Sequence, residues 1–248
     1  MLEIANVTMR FGGLVAVSDA SMSVREGSIT GLIGPNGAGK TTLFAIIAGF
    51  LRPTEGTITW LGDDVTAMAP HLRAASGIAR TFQIVQPFSG LNVRENITVG
   101  AYLRHHKPAD AVGKARDVAR QVGLHEDLEK SASSLTVAGR KRLELARALA
   151  TEPKILLLDE VLAGLNPSEI RDIIPVIRTI RDSGVTILMI EHVMQAVMNL
   201  CEHVHVLAQG RMIAQGTPVA VCDDPAVIEA YLGRGSAERL ARHGAADA

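Results

Sequence analysis

The sequence predicts an α/β fold in which a phosphate-binding core carries a β-rich N-terminal edge and an inserted α-helical subdomain. Three observations carry that expectation. Gly34-Pro35-Asn36-Gly37-Ala38-Gly39-Lys40-Thr41 fits the spacing G-x-x-x-x-G-K-[ST], with a strand-like run before it and a helix-like run after it. Residues 92–150 drop the strand pattern and show helix capping and helical spacing instead. From Ile155 onward short apolar runs alternate again with helical ones, the order that builds a largely parallel sheet.

The elements follow in chain order. Leu2 to Phe11 alternates as a strand does, and Val15 to Val24 continues with β-branched residues up to the Glu26-Gly27 turn, which together make the β-rich edge. Ser28 to Ile33 reads as a buried strand leading into the phosphate loop, and Thr42 to Ala48 reads as the helix that follows it. Glycines let backbone N–H groups wrap phosphate oxygens, Lys40 reaches the outer phosphates, and Thr41 reaches Mg²⁺. That arrangement defines a P-loop NTPase core. Thr57 to Leu61 is a short strand between two turns, Arg52 to Gly56 and Gly62 to Asp64, and Trp60 on it is expected to pack. Pro70 to Ser76 reads as a helical turn and Gly77 to Phe82 as a strand that ends at Gln83.

Asn92, with Glu95 three residues later, is a capping-box start for a helix reaching about His106. Ala109 to Val122 has helical spacing, and Ser131 to Leu135 leads into a further helix through Ala150. Ile155 to Leu158 is a short apolar strand ending in Asp159-Glu160, Pro167 to Asp182 is a helix containing Pro175, and Val185 to Ile190 is another buried strand. Two short strands around Gln209-Gly210 and a helix over Pro225 to Leu232 complete the pattern. The expected division is a core in two parts, 1–91 and 151–233, a helical subdomain at 92–150, and a mobile small-residue tail at 234–248.

Bulk properties narrow the function. The 25 Lys+Arg residues balance 26 Asp+Glu, so no basic excess points to nucleic acid or to an anionic lipid surface. Aromatic residues are 3% of a chain that is 47% hydrophobic, which argues against a base-stacking platform and for an aliphatic interior. Cys201 and Cys222 are isolated thiols without metal or disulfide spacing and are expected to act as small buried hydrophobes. The N-terminus has no signal-peptide pattern and no apolar run reaches membrane-spanning length, so a soluble, cytoplasmic protein is expected.

The strand ending in Asp159-Glu160 supplies two adjacent carboxylates, one to serve a metal shell and one to orient and polarise a water. In a parallel sheet Gln83 and His192, each at a strand end, would lie at the same carboxyl edge. Together Phe11, Gly34 to Thr41, Gln83, Leu135 to Leu149, Asp159-Glu160, Ala163 to Asn166 and His192 resemble the nucleotide-binding subunit of an ABC transporter, over nearly the whole chain to about Gly233.

The resemblance implies a role for each position. Phe11 would stack on the adenine of ATP. Gly34, Asn36, Gly37, Ala38, Gly39, Lys40, Thr41 and Thr42 would hold its phosphates. Thr41 and Gln83 would complete the Mg²⁺ site, with Asp159 acting through the water shell. Glu160 would be the general base, and His192 would hold the γ-phosphate and help orient the water; Gln83 would also start the lever that senses the membrane partner, with residues 87–97 near its docking groove. Family members pair head to tail, each ATP being closed over by the other subunit's Leu-Ser-Gly-Gly-Gln segment. Here the matching segment is Leu135-Thr136-Val137-Ala138-Gly139, in which Thr136 keeps a hydroxyl and Ala138 keeps an amide at a helix start. Val161 stands in place of the usual proline, and Asn166 in place of a frequent Asp.

Arg80 to Gln83, Ala163 to Pro167, Ile190 to Met194 and Ile228 to Gly233 are similar to the ATPases of branched-chain amino acid importers. That likeness implies integral membrane transporter subunits, a second ATP-binding subunit of the same or a different chain, and indirectly a substrate-binding protein. It places the chain peripherally on the cytoplasmic face of the cell membrane. Urea uptake, lipopolysaccharide export, a cassette that binds ATP without hydrolysing it, and a non-transport ATPase acting on DNA or ribosomes are the alternatives. The last usually carries a coiled-coil insertion or a duplicated cassette, and neither is present.

Overall fold

A computed structural model of the chain describes residues 1–81 and 86–233. Two sheets enclose the phosphate-loop helix. The first is built from β1 (Leu2–Phe11), β2 (Leu14–Val24), β4 (Glu55–Trp60) and β5 (Asp63–Asp64), in the order β2-β1-β4-β5 and antiparallel throughout. The second combines β3 (Ile29–Ile33), β6 (Ile78–Arg80), β7 (Ile155–Asp159), β8 (Thr186–Ile190), β9 (His203–Ala208) and β10 (Arg211–Gly216). Its order is β10-β9-β3-β8-β7-β6, and every pairing is parallel except the terminal hairpin β9-β10.

Strands β3, β7 and β8 are buried along their full length, as an apolar run covered on both faces requires. Their side chains alternate between two cores. Leu32, Leu157, Leu188 and Ile190 face α1 (Lys40–Ile47) and the antiparallel sheet, where Leu43, Phe44, Ile46 and Ile47 of α1 are fully buried. Leu156, Leu158, Ile187 and Met189 face the other core, shared with α3 (Val93–Ala101), α4 (Pro108–Val122), α5 (Val137–Leu149), α6 (Pro167–Asp182) and α7 (Met194–Leu200).

Arg73, on α2 (Pro70–Ser76), ties the end of α1 to its surroundings. Although only 1% exposed, its guanidinium donates to the carbonyls of Ile46 and Ile47 at 2.6 Å each, and to those of Val65, Thr66 and Met68. Helix-terminal carbonyls lack intrahelical partners, and here a buried side chain supplies them.

Most expected elements lie where the sequence places them, α6 and α9 (Pro225–Leu232) with the same bounds. Trp60 is buried and donates to the Ser76 carbonyl at 3.2 Å. Four readings need correction or addition. The helix opened by Asn92 stops at Ala101 rather than near His106: Leu103 and Arg104 form i→i−3 turns, and Arg104 donates to the Ala75 and Thr151 carbonyls, pulling the chain onto neighbouring segments. Asp63-Asp64, read as a turn, pairs with β4 as a short strand. Helices α7 and α8 (Pro218–Cys222) are too short to give a periodic signal and were not expected. Cys222 is only partly buried, whereas Cys201 is buried. Phe82, Gln83 and the tail 234–248 lie outside the described residues. Among the described residues no helix is long and apolar enough to cross a membrane.

Candidate functional site

The phosphate loop leaves the end of β3 and enters α1. Gly34 and Gly39 have φ of 146° and 105°, and a Cβ at either would collide with backbone, at the Leu207 carbonyl for Gly34 and at the Ala16 carbonyl for Gly39. The first helical bond of α1 is Leu43 N–H to Gly39 O, so the amides of Lys40, Thr41 and Thr42 have no acceptor within the helix. With the positive end of the helix dipole, they form an anion-binding terminus. Lys40 is buried, and its Nζ donates to the carbonyls of Gly34 at 2.7 Å and Pro35 at 2.9 Å. Burial lowers its pKa, while the charges of Glu160 and Asp159 pull it upward.

A cleft of about 630 Å³ runs over this loop. Residues 36–42 line its floor, Phe11, Leu14 and Ala16 one wall, and Glu160, Gln209 and Gly210 the rest. Phe11 is 46% exposed, so its ring is open to a planar partner.

Asp159 ends β7 opposite Ile190 of β8, and Ile190 in turn pairs with Leu32 of β3, so the carboxylates stand at the same sheet edge as the loop. Asp159 is buried; its Oδ2 accepts from Arg80 Nη2 at 2.7 Å, and its backbone N–H donates to Thr81 Oγ1 at 3.1 Å. Its Oδ1 has no hydrogen-bond partner among the described residues. A hydroxyl at Thr41 and an unpartnered carboxylate oxygen at Asp159 are oxygen donors suited to Mg²⁺, and both residues border a second cleft of about 810 Å³. No group of three His, Cys, Asp or Glu among the described residues forms an all-protein metal site. The donor set therefore fits a Mg²⁺ that takes its other ligands from phosphates and water.

Glu160 adopts φ of 49°, with its N–H donating to Ile190 O at 3.0 Å. His192 follows β8 and is exposed at this edge. Gln83 lies outside the described residues. Thr136 caps α5, its hydroxyl accepting from Gly139 N–H at 3.1 Å; neither it nor Ala138 lines this chain's loop cleft. Asn166 caps α6 in a reciprocal box with Glu169.

Three polar groups here were given no role of their own from the sequence. Arg80 neutralises Asp159 from the neighbouring strand. Glu191 is 1% exposed and accepts from Leu162 N–H at 3.0 Å; burial, with the Glu160 charge adding to it, pushes its pKa up to about 7. Lys141 donates to the Glu160 carbonyl at 3.3 Å. A carboxylate directly after a fully apolar strand was the available signal for Glu191; nothing in the helical spacing marked Lys141.

A family profile described as "ABC transporter" matches residues 17–163, and one described as "Branched-chain amino acid ATP-binding cassette transporter" matches residues 211–237. The chain is 40% identical to the high-affinity branched-chain amino acid transport ATP-binding protein BraF of Pseudomonas aeruginosa, covering 94% of this chain and 98% of that protein. It is 37% identical to LivG of Escherichia coli at the same coverage, and 35% identical to the lipopolysaccharide export system ATP-binding protein LptB of that organism over 94% of this chain and 97% of LptB. Among solved structures, the ADP conformation of MJ1267, an ATP-binding cassette of an ABC transporter, superposes with a TM-score of 0.86 at 33% identity, covering 94% of this chain and 99% of that one.

Proposed function

Because the chain belongs to the ABC transporter ATP-binding family, we propose that it is the Mg²⁺-dependent ATPase that powers uptake of branched-chain amino acids through separate membrane subunits. Membership makes it an ATP-binding subunit whose hydrolysis of ATP is coupled to transport. The single observation that carries the catalytic reading is that the phosphate loop and Glu160 line one cleft, with Asp159 beside them at the strand ends. The C-terminal match and the names of BraF and LivG support the branched-chain cargo over lipopolysaccharide export.

Each residue then has a task. Phe11 stacks on the adenine, and Lys40 with the loop amides binds the phosphates. Thr41 and Gln83, with Asp159 through a water shell, would hold Mg²⁺, which would supply charge neutralisation on the outer phosphates. Glu160 accepts a proton from the attacking water, and His192 orients that water against the γ-phosphate. Thr136 and Ala138 present a hydroxyl and a helix-terminal amide outward, where the nucleotide of a second ATP-binding subunit can meet them.

The larger cleft, with exposed Phe50, Phe88 and Val99 at its lining, is the surface for an integral membrane subunit, reached through the segment after Gln83. In this reading the chain sits peripherally on the cytoplasmic face, and a substrate-binding protein acts on the far side.

The test is the mass of purified Glu160→Gln protein, by light scattering on a sizing column, with and without Mg-ATP. A shift from monomer to dimer, with turnover abolished, is expected. Turnover at the parental rate removes Glu160 as the base. Cargo is tested separately: deletion of the gene should abolish high-affinity leucine, isoleucine and valine uptake, and undiminished uptake overturns that assignment.

A further inference from the structure

Glu160 holds a backbone conformation that L-residues adopt rarely, with φ of 49°. Such a conformation is strained and persists where surrounding contacts over-determine it. The contacts here are specific. The Glu160 N–H donates to Ile190 O at 3.0 Å, its carbonyl accepts from Lys141 Nζ at 3.3 Å, and Leu162 N–H donates to Glu191 Oε1 at 3.0 Å. Two of these partners are charged side chains brought from distant elements, Lys141 from α5 and Glu191 from the end of β8. Both are buried, at 5% and 1% exposure, although long charged side chains are rarely placed inside without a task. Glu191 Oε2 has no hydrogen-bond partner among the described residues, so this carboxylate is buried for bonds to the backbone around it, that from Leu162 N–H among them.

We propose that Lys141 and Glu191 are positioning residues that clamp the backbone of residues 160–162 and so aim the Glu160 carboxylate at the attacking water. The inference rests on the reading of Glu160 as base. It adds a mechanical link, because α5 begins at the Thr136 cap and Lys141 lies one turn inside it. Movement of the segment that meets a partner's nucleotide is thereby transmitted to this chain's own base. Glu191, directly before His192, ties the same loop to the histidine.

The test compares Lys141→Met, Glu191→Leu and Glu191→Gln in the full chain, measuring kcat, KM for Mg-ATP, nucleotide affinity and thermal melting on the same preparations. Lys141→Met and Glu191→Leu should lower kcat roughly ten- to a hundredfold, the scale of a small misplacement of a reacting group, with KM and nucleotide affinity unchanged. Glu191→Gln keeps an acceptor for Leu162 N–H and should recover most of the loss. Parental kcat in both Lys141→Met and Glu191→Leu overturns the clamp. So does a loss of kcat accompanied by an equal loss of nucleotide affinity, or a Glu191→Gln variant as impaired as Glu191→Leu. Should Glu191→Leu fail to fold, Lys141→Met and Glu191→Gln still decide: an unchanged Lys141→Met overturns the proposal. Failure of the underlying reading looks different, since it is Glu160→Gln, or the wild-type chain's own lack of turnover, that reveals it.

Discussion

Lys40 sits in a buried place and donates to two carbonyls of its own loop; burial lowers its pKa, and the charges of Glu160 and Asp159 oppose that shift only in part. A charge-assisted hydrogen bond to phosphate contributes about 1.5–3 kcal/mol, so Lys40→Ala should weaken ATP binding roughly ten- to a hundredfold. Calorimetric titration checks this, and unchanged affinity would take Lys40 out of the phosphate site. Glu191 makes a prediction of opposite electrostatic character. Its pKa is raised in the fold to about 7 from 4.5, so between those values the native state binds a proton that the unfolded chain has released. Its contribution to stability is full below the lower value and is lost as pH rises through the higher one, a change of about 3 kcal/mol. Glu191→Gln removes that dependence. Urea melts of both proteins at pH 5 and pH 8 measure it: the wild type should fall relative to the variant at the higher pH, and parallel behaviour would show that this carboxyl does not titrate in the window.

At the scale of elements, α1 depends on its two ends for different reasons. Its start is shaped for phosphate by glycines that no side chain replaces without collision. Its end is satisfied by Arg73, a residue on another helix. Arg73→Met keeps much of the packing but removes the guanidinium from five carbonyls, of which Ile46 and Val65 keep a backbone donor, so a loss of about 2–4 kcal/mol is expected in urea unfolding. A loss below about 1 kcal/mol would mean that water or backbone shifts satisfy those carbonyls instead. The capping box of α3 was legible, since Asn92 with Glu95 holds the spacing; Asn166 with Glu169 holds the same spacing at α6, but that box was established only by the structure. The end of α3 was not legible. Nothing local stops it before Pro108; Arg104 reaches the Ala75 and Thr151 carbonyls, and only the assembled chain brings those close.

For the whole molecule, the two clefts divide the work, one over the phosphate loop and one against the helical region, with Thr41 bordering both. In the second, Phe88 is exposed beneath the Arg147 guanidinium, 4.5 Å from its ring centroid, which leaves an apolar ring edged by a cation. Phe88→Asp should abolish co-purification with the membrane subunits while leaving ATP affinity within about twofold, since it removes an interface anchor and no phosphate contact. Retained co-purification would place the docking surface elsewhere. Most of the order of strands and helices, the phosphate loop and the Asp159-Glu160 pair were determined by the sequence alone, because each is written in local spacing: apolar runs, glycines before a helix, two carboxylates at a strand end. Tertiary structure decided what lies beside them. Arg80 against Asp159, Glu191 under Leu162, Lys141 on the Glu160 carbonyl and Arg73 at the end of α1 join residues far apart along the chain or on separate elements. Such pairings arise from the packing of two cores on one parallel sheet, and a single sequence carries no local pattern that records which buried charge will meet which backbone group.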